Sequence, residues 1–174
     1  MLALVRDYSR VFWRGCEMDA GYQTGVLKAA DVHRAFAVIQ LIMPGMGLET
    51  WRIMTATEVS RHDWLTVTDT KGYLRGLCYV FVRDHPPSVR QLEVPVCASI
   101  SLFNEQDIAK RLFDVIKQRA AETGCEKIHF WRVVARDWKS LEDLKETEPW
   151  NDGLVYDLNT DLNDALQSIL PVKM

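Results

Sequence analysis

Between residues 89 and 102 apolar and polar positions alternate. Leu92, Val94, Val96, Ala98, Ile100 and Leu102 hold one parity; Gln91, Glu93, Pro95, Cys97, Ser99 and Ser101 hold the other. A period of two predicts a strand from Val89 to Leu102 with one core face and one small or polar face. Pro95 has no N–H to give a ladder, so a bulge, an edge or a break in pairing is expected there. The period then becomes helical. Ile108, Leu112, Val115, Ile116 and Ala120 form one apolar stripe, predicting a helix from about Glu105 to Thr123, with Gly124 as its C-terminal cap. Lys127 to Val133 reads as a strand that can lie parallel to the long one, because a helical crossover joins them.

The upstream half follows the same logic. Gly25-Val26-Leu27 is a short strand candidate, and Asp31 is placed to cap a helix with Val32, Ala35, Phe36, Ile39 and Ile42 on one face. Pro44-Gly45-Met46-Gly47 ends it. A second helix is expected from Glu49 to Arg61, with Trp51, Met54 and Val59 turned inward. Strands at Trp64–Thr68 and Tyr73–Arg83 flank Asp69-Thr70-Lys71-Gly72, a hairpin turn. Asp84-His85-Pro86-Pro87-Ser88 makes the next turn. Downstream, a short helix is expected near Lys139–Glu146, a turn at Pro149 and a last strand around Leu154–Leu158.

Composition narrows the classes. The 174 residues are 48% hydrophobic, enough for one domain with a sizeable core. A net charge of −3 implies no broad basic surface, so nucleic acid is not expected as a partner. Cys16, Cys78, Cys97 and Cys125 are scattered, without C-x-x-C or paired histidine spacing. This reads as a reduced, cytoplasmic protein without a structural metal. No run approaches about 18 consecutive apolar residues, so no membrane span or secretion signal is expected.

The turn at Asn104-Glu105-Gln106-Asp107-Ile108-Ala109 carries the most information about function. A strand running straight into a helix N-terminus presents unpaired N–H groups, the usual cradle for a phosphate. This turn has no glycine and two carboxylates, Glu105 and Asp107. Architecture and local chemistry therefore pull in opposite directions.

In element order and in several short motifs the chain resembles the GNAT superfamily of acyl-CoA-dependent N-acyltransferases, over about residues 20–165. Lys71-Gly72-Tyr73-Leu74-Arg75-Gly76 is similar to the family's two-glycine hairpin. Cys97-Ala98-Ser99-Ile100-Ser101-Leu102-Phe103 is similar to the end of its fourth strand, keeping an aromatic at Phe103. Ala109-Lys110-Arg111-Leu112 fits the opening of its cofactor helix, Gly124-Cys125-Glu126-Lys127-Ile128 the step into its fifth strand, and Asn151-Asp152-Gly153-Leu154 a turn near its end. The resemblance implies an α/β (α+β) fold: one domain over residues 18–174, with a mixed, mostly antiparallel sheet, helices on both faces and a splayed parallel strand pair. Residues 1–17 would be an added arm, or would reflect an upstream start with Met18 the natural one.

The same resemblance implies acetyl-CoA as acyl donor and a small-molecule amine or a protein amino group as acceptor, with no nucleic acid and no membrane. A homodimer is left open. The family's pyrophosphate motif, [Q/R]-x-x-G-x-[G/A], falls on Asn104, Asp107 and Ala109, of which only Ala109 matches. The cofactor-binding candidates are thus Ser99, Ile100, Ser101, Asn104, Glu105, Gln106, Asp107, Ile108, Ala109 and Lys110. The resemblance implies an oxyanion donor, a backbone N–H near Ser99 or Ile100. Glu93 is the candidate general base, against the alternative of a solvated strand carboxylate. The family's frequent tyrosine acid falls on Pro149, with Tyr156 the nearest substitute.

His33 and His62 are expected on exposed helix faces, His85 in a turn, and His129 near the cleft between the splayed strands. Trp51, Trp64 and Trp131 fit core faces; Trp138 and Trp150 are the candidates for a substrate or partner surface. Two function classes follow: an N-acetyltransferase, or a catalytically silent module of the same fold with weak or lost CoA binding.

Overall fold

The Asp69 carboxylate sets the first hairpin. Its Oδ1 accepts the N–H groups of Lys71 and Tyr73 at 2.9 Å each, and Gly72 takes φ +77°, a left-handed value that suits glycine. That turn joins β2 (Trp64–Thr68) to β3 (Leu74–His85). The computed structural model describes residues 21–85, 89–100, 105–146 and 153–159. Among these residues six strands form one sheet in chain order, with β1 (Gln23–Val26), β4 (Val89–Ser99), β5 (Lys127–Trp131) and β6 (Gly153–Asp157) completing it. Every neighbouring pair is antiparallel except β4 and β5, which run parallel. The expected mixed sheet with one parallel pair is what the chain forms.

Pro95 produces the bulge that its missing N–H predicts. Tyr79 pairs with Val96 and Phe81 with Glu93, so two steps along β3 match three along β4. This overturns the expectation of one apolar parity from end to end. Leu92 and Val94 pack in the core on one face of the sheet, whereas Val96, Ala98 and Ile100 pack on the other. The extra residue inverts the phase. Both faces of β4 are covered, and residues 91–96 are all buried.

One face is covered by α4 (Glu105–Glu122), through Ile108, Leu112, Ile116 and Ala120. Gly76 lets it come close: a Cβ there would lie 2.8 Å from a Leu112 methyl and 3.1 Å from an Ile108 methyl. Gly124 ends the helix at φ +68°, as expected. The other face is covered by α1 (Val32–Ile42), α2 (Leu48–Met54) and α5 (Trp138–Glu146) around Trp51, Trp64, Met43 and Leu141.

The single helix expected from Glu49 to Arg61 is two. Thr57 starts α3 (Glu58–His62) with a reciprocal capping box to Ser60. The Arg61 guanidinium donates to the Thr55 and Ala56 carbonyls at 2.9 and 3.1 Å, satisfying acceptors in the break between the helices. Val59, expected inward, is 81% exposed. Asp31 precedes α1 without a side-chain capping bond, and binds Arg34 at 3.3 Å instead.

Candidate functional site

Parallel pairing between β4 and β5 covers Gln91–Val94 against Lys127–Phe130 and goes no further. Beyond it β4 continues to Ser99 with β3 as its partner, while β5 stops at Trp131. The strands part at the Pro95 bulge. Antiparallel ladders alternate, so the Ile100 N–H bond to the Arg75 carbonyl at 2.6 Å fixes the pattern. Residues 96, 98 and 100 direct their backbone groups to β3, and the N–H groups of Cys97 and Ser99 point to the β5 side. Of the two expected oxyanion donors, Ile100 is therefore occupied within the sheet and Ser99 faces the gap.

Glu93 stands at the last but one rung of the parallel pairing, opposite His129 on β5 and Phe81 on β3. It is 2% exposed, which excludes a solvated strand carboxylate. Four donors surround it. His85 and Gln91 donate to Oε1 at 3.2 and 3.0 Å; His129 Nδ1 and Trp131 Nε1 donate to Oε2 at 2.8 and 2.6 Å. Burial alone would raise its pKa. The hydrogen bonds from His129, Trp131 and His85 overcome that and hold it down to about 2. Two donors on each oxygen fill the carboxylate's acceptor sites. It is built to stay ionised and to orient its neighbours.

His129 is the neighbour with capacity left. An ionised carboxylate only accepts, so Nδ1 carries the proton and a neutral ring presents its lone pair at Nε2. His129 is 2% exposed and Nε2 has no hydrogen-bond partner among the described residues. It lies against the start of β6, where a Cβ on Gly153 would meet both Nε2 and the Phe130 carbonyl oxygen. His85, expected in a turn, is the buried last residue of β3. The signal for this cluster was in the sequence: Gln91/Glu93 and His129/Trp131 each share a strand face by the period of two. What was missing was the register that brings the two pairs together.

Tyr156 does not join them. It pairs with Ile128, stacks edge-on against Phe113 of α4 at 5.1 Å, and packs in the core on the α4 side of the sheet. The carboxylate and the tyrosine thus lie on opposite faces. Trp138, a candidate for a substrate or partner surface, is half-buried and packs against the core, edge-on to Tyr79 at 5.2 Å. Trp51, Trp64 and Trp131 are buried and His33 and His62 exposed, as expected.

At the start of α4, Gln106, Asp107 and Lys110 are exposed, Ile108 is buried and Ala109 is half-buried. Glu105 begins the helix. Ser101 and Asn104 lie outside the described residues, as do Phe103, Pro149, Trp150, Asn151, Asp152 and residues 1–17. The β4–β5 gap with the Ser99 N–H fits an extended thioester arm. The acidic, glycine-free helix start is a poorer match for a diphosphate. Among the described residues no group of three or more His, Cys, Asp or Glu could hold a metal, and no helix is long and apolar enough to cross a membrane.

No protein-family model and no curated protein matches the sequence. Solved structures do match. An N-acetyltransferase complex, NatC bound to Gag peptide and CoA, superposes with TM-score 0.53 at 13% identity, over 79% of this chain and 99% of that one. An aminoglycoside N-acetyltransferase in complex with CoA gives 0.54 at 11% identity, over 80% and 93%. An acetyltransferase of Trypanosoma brucei gives 0.53 at 12% identity, over 81% and 99%. At such identities the likeness establishes the fold, and the chemistry rests on the residues.

Proposed function

We propose that this chain, which has the fold of the GNAT acyltransferases, is an N-acetyltransferase moving the acetyl group of acetyl-CoA to a small-molecule or protein amine. The observation that carries this is the Glu93–His129 pair buried where β4 and β5 part. Acetyl-CoA would supply a thioester carbonyl in the gap beside β4. The Ser99 N–H, turned toward that gap, would stabilise the oxyanion as the amine attacks, and collapse of that oxyanion would break the C–S bond and release CoA as a thiolate that takes its proton from water. His129 Nε2 would take the amine's proton through a relay of waters reaching it at the Gly153 edge, since Ser99 lies about 20 Å along β4 from the Glu93–His129 rung. Glu93 would hold the ring in the tautomer that leaves Nε2 basic and would balance the imidazolium once formed. Glu93 on this reading is a positioning residue, and Tyr156 supplies packing for α4 rather than an acid.

The second reading, a silent module of the same fold, is favoured by one observation: Asp107 projects into solvent in the first turn of α4. Calorimetric titration with acetyl-CoA, followed by transfer assays on a panel of amines, separates the two. The acyltransferase reading expects binding and transfer. It also expects His129→Gln, which keeps an N–H for Glu93 but takes no proton, to bind acetyl-CoA normally while losing about 10²-fold or more in rate. Undiminished transfer by His129→Gln would overturn the proton route. Absence of binding by both native protein and Asp107→Gly would establish the silent module.

A further inference from the structure

Cys78 and Cys97 face each other across β3 and β4 as direct Cα partners. Their sulfurs are 2.8 Å apart, and neither is in a disulfide bond. The kind of rung matters. The bond from the Ile100 N–H to the Arg75 carbonyl makes 75/100 a hydrogen-bonded pair, so by alternation 77/98 is one too, and 76/99 and 78/97 are non-hydrogen-bonded pairs. In a non-hydrogen-bonded pair the Cα atoms approach to about 4.5 Å and the side chains stand closest, within the range that a disulfide spans.

We propose that Cys78 and Cys97 are a modification site: a dithiol that a mild two-electron oxidant, such as hydrogen peroxide, closes into a cross-strand disulfide. Cys97 is half-buried and Cys78 fully buried, so the order of events follows from access. The Cys97 thiolate attacks one peroxide oxygen; an S–O bond forms, the O–O bond breaks, and hydroxide leaves as water after taking a proton. The Cys78 sulfur then attacks the Cys97 sulfenic sulfur. The S–S bond forms, the S–O bond breaks, and a second water carries away the Cys78 proton. Two thiols and one peroxide give one disulfide and two waters. Burial and the adjoining Cys97 thiol push the Cys78 pKa well up, so a protonated Cys78 stays inert until the sulfenic acid forms beside it.

The position gives the bond a consequence. Cys78 packs with Ile108 and Leu112 of α4, and Cys97 sits against the same cluster two residues before Ser99. Closing the pair staples β3 to β4 in the stretch where β4 has lost β5 as a neighbour, the part of the sheet held from one side only.

The test uses the native full chain treated with stoichiometric peroxide, denatured, alkylated and digested. The expected result is joint loss of two alkylation sites and a peptide linking Cys78 to Cys97. Such a loop raises the melting temperature by about 5–10 °C, reversed by dithiothreitol. Cys97→Ala and Cys78→Val, each tested separately, should remove the linked peptide and the temperature rise while leaving Cys16 and Cys125 alkylated. Four alkylated cysteines after oxidation, a disulfide between two chains, or Cys97 carried to the sulfinic acid with Cys78 still alkylated would each overturn the proposal. None of these readouts depends on acyl transfer.

Discussion

Replacing Glu93 by glutamine tests the buried network through its dependence on pH. The carboxyl titrates near 2 in the folded chain and at its ordinary 4.5 once unfolded. A depressed folded pKa contributes stability that is fully present above pH 4.5 and lost as pH falls toward 2, because the unfolded state binds the proton first. At about 1.36 kcal/mol per tenfold this difference is about 3 kcal/mol, undiminished by solvent since Glu93 is 2% exposed. In Glu93→Gln the amide must place its NH₂ where a carboxylate oxygen accepted two hydrogens. Trp131 can only donate, so the NH₂ turns to the Oε1 side, where Gln91 can rotate its own amide and His85 can exchange tautomer. We expect a loss of about 2–4 kcal/mol at neutral pH, a fall in melting temperature of about 5–15 °C. The decisive measurement is the difference between native and variant in urea midpoints from pH 7 to pH 2. Groups such as Asp69 and Asp137, also held below their usual range, titrate in both proteins and cancel. The difference should shrink by about 3 kcal/mol between pH 4.5 and 2. A constant difference across that interval would refute the assignment of a strongly depressed pKa to Glu93.

Asp107→Gly should tighten acetyl-CoA binding in the native buffer. A unit charge about 8 Å from a doubly charged diphosphate is repelled by about 1 kcal/mol in water, roughly sixfold, falling to about twofold at physiological salt; equal affinities at low salt would show the charge to be irrelevant. Gly153→Ala puts a methyl against the Phe130 carbonyl oxygen and His129 Nε2, and should cost about 1–3 kcal/mol of stability. An unchanged melting curve would show that β6 does not pack closely on His129.

The strand that begins at Val89, the helical stripe from Ile108 to Ala120 and the Gly124 cap were all legible, because each is set by neighbours within a turn or two. So was the irregularity at Pro95. Its effect was not: a bulge inverts which residues meet which core, and only the partner strand reveals how many residues are added. The α2–α3 break was readable in part, since Thr57 and Ser60 have capping-box spacing, but the apolar period of Trp51 and Met54 masked it. Glu93 was singled out as a carboxylate near the thioester position. Its four donors come from three strands up to 38 residues away, and no local pattern encodes that convergence. Tyr156 fell on the far face for a similar reason, since closeness in sequence to a turn says nothing about parity across a sheet.

The Pro95 bulge makes β4 behave like a crankshaft. Its two throws point opposite ways, one carrying Leu92 and Val94 into the layer beneath α4, the other carrying Val96 and Ala98 into the layer of tryptophans. A chain shortened by a single residue at that bend would run straight with both throws still seated, whereas a chain of this length without the bend would have to seat one throw backwards. Either Glu93 would be driven among leucines and isoleucines, or Val96 and Ala98 would leave theirs. What this strand specifies is therefore the bend itself, because at its present length only an extra residue absorbed at Pro95 lets one segment serve both layers.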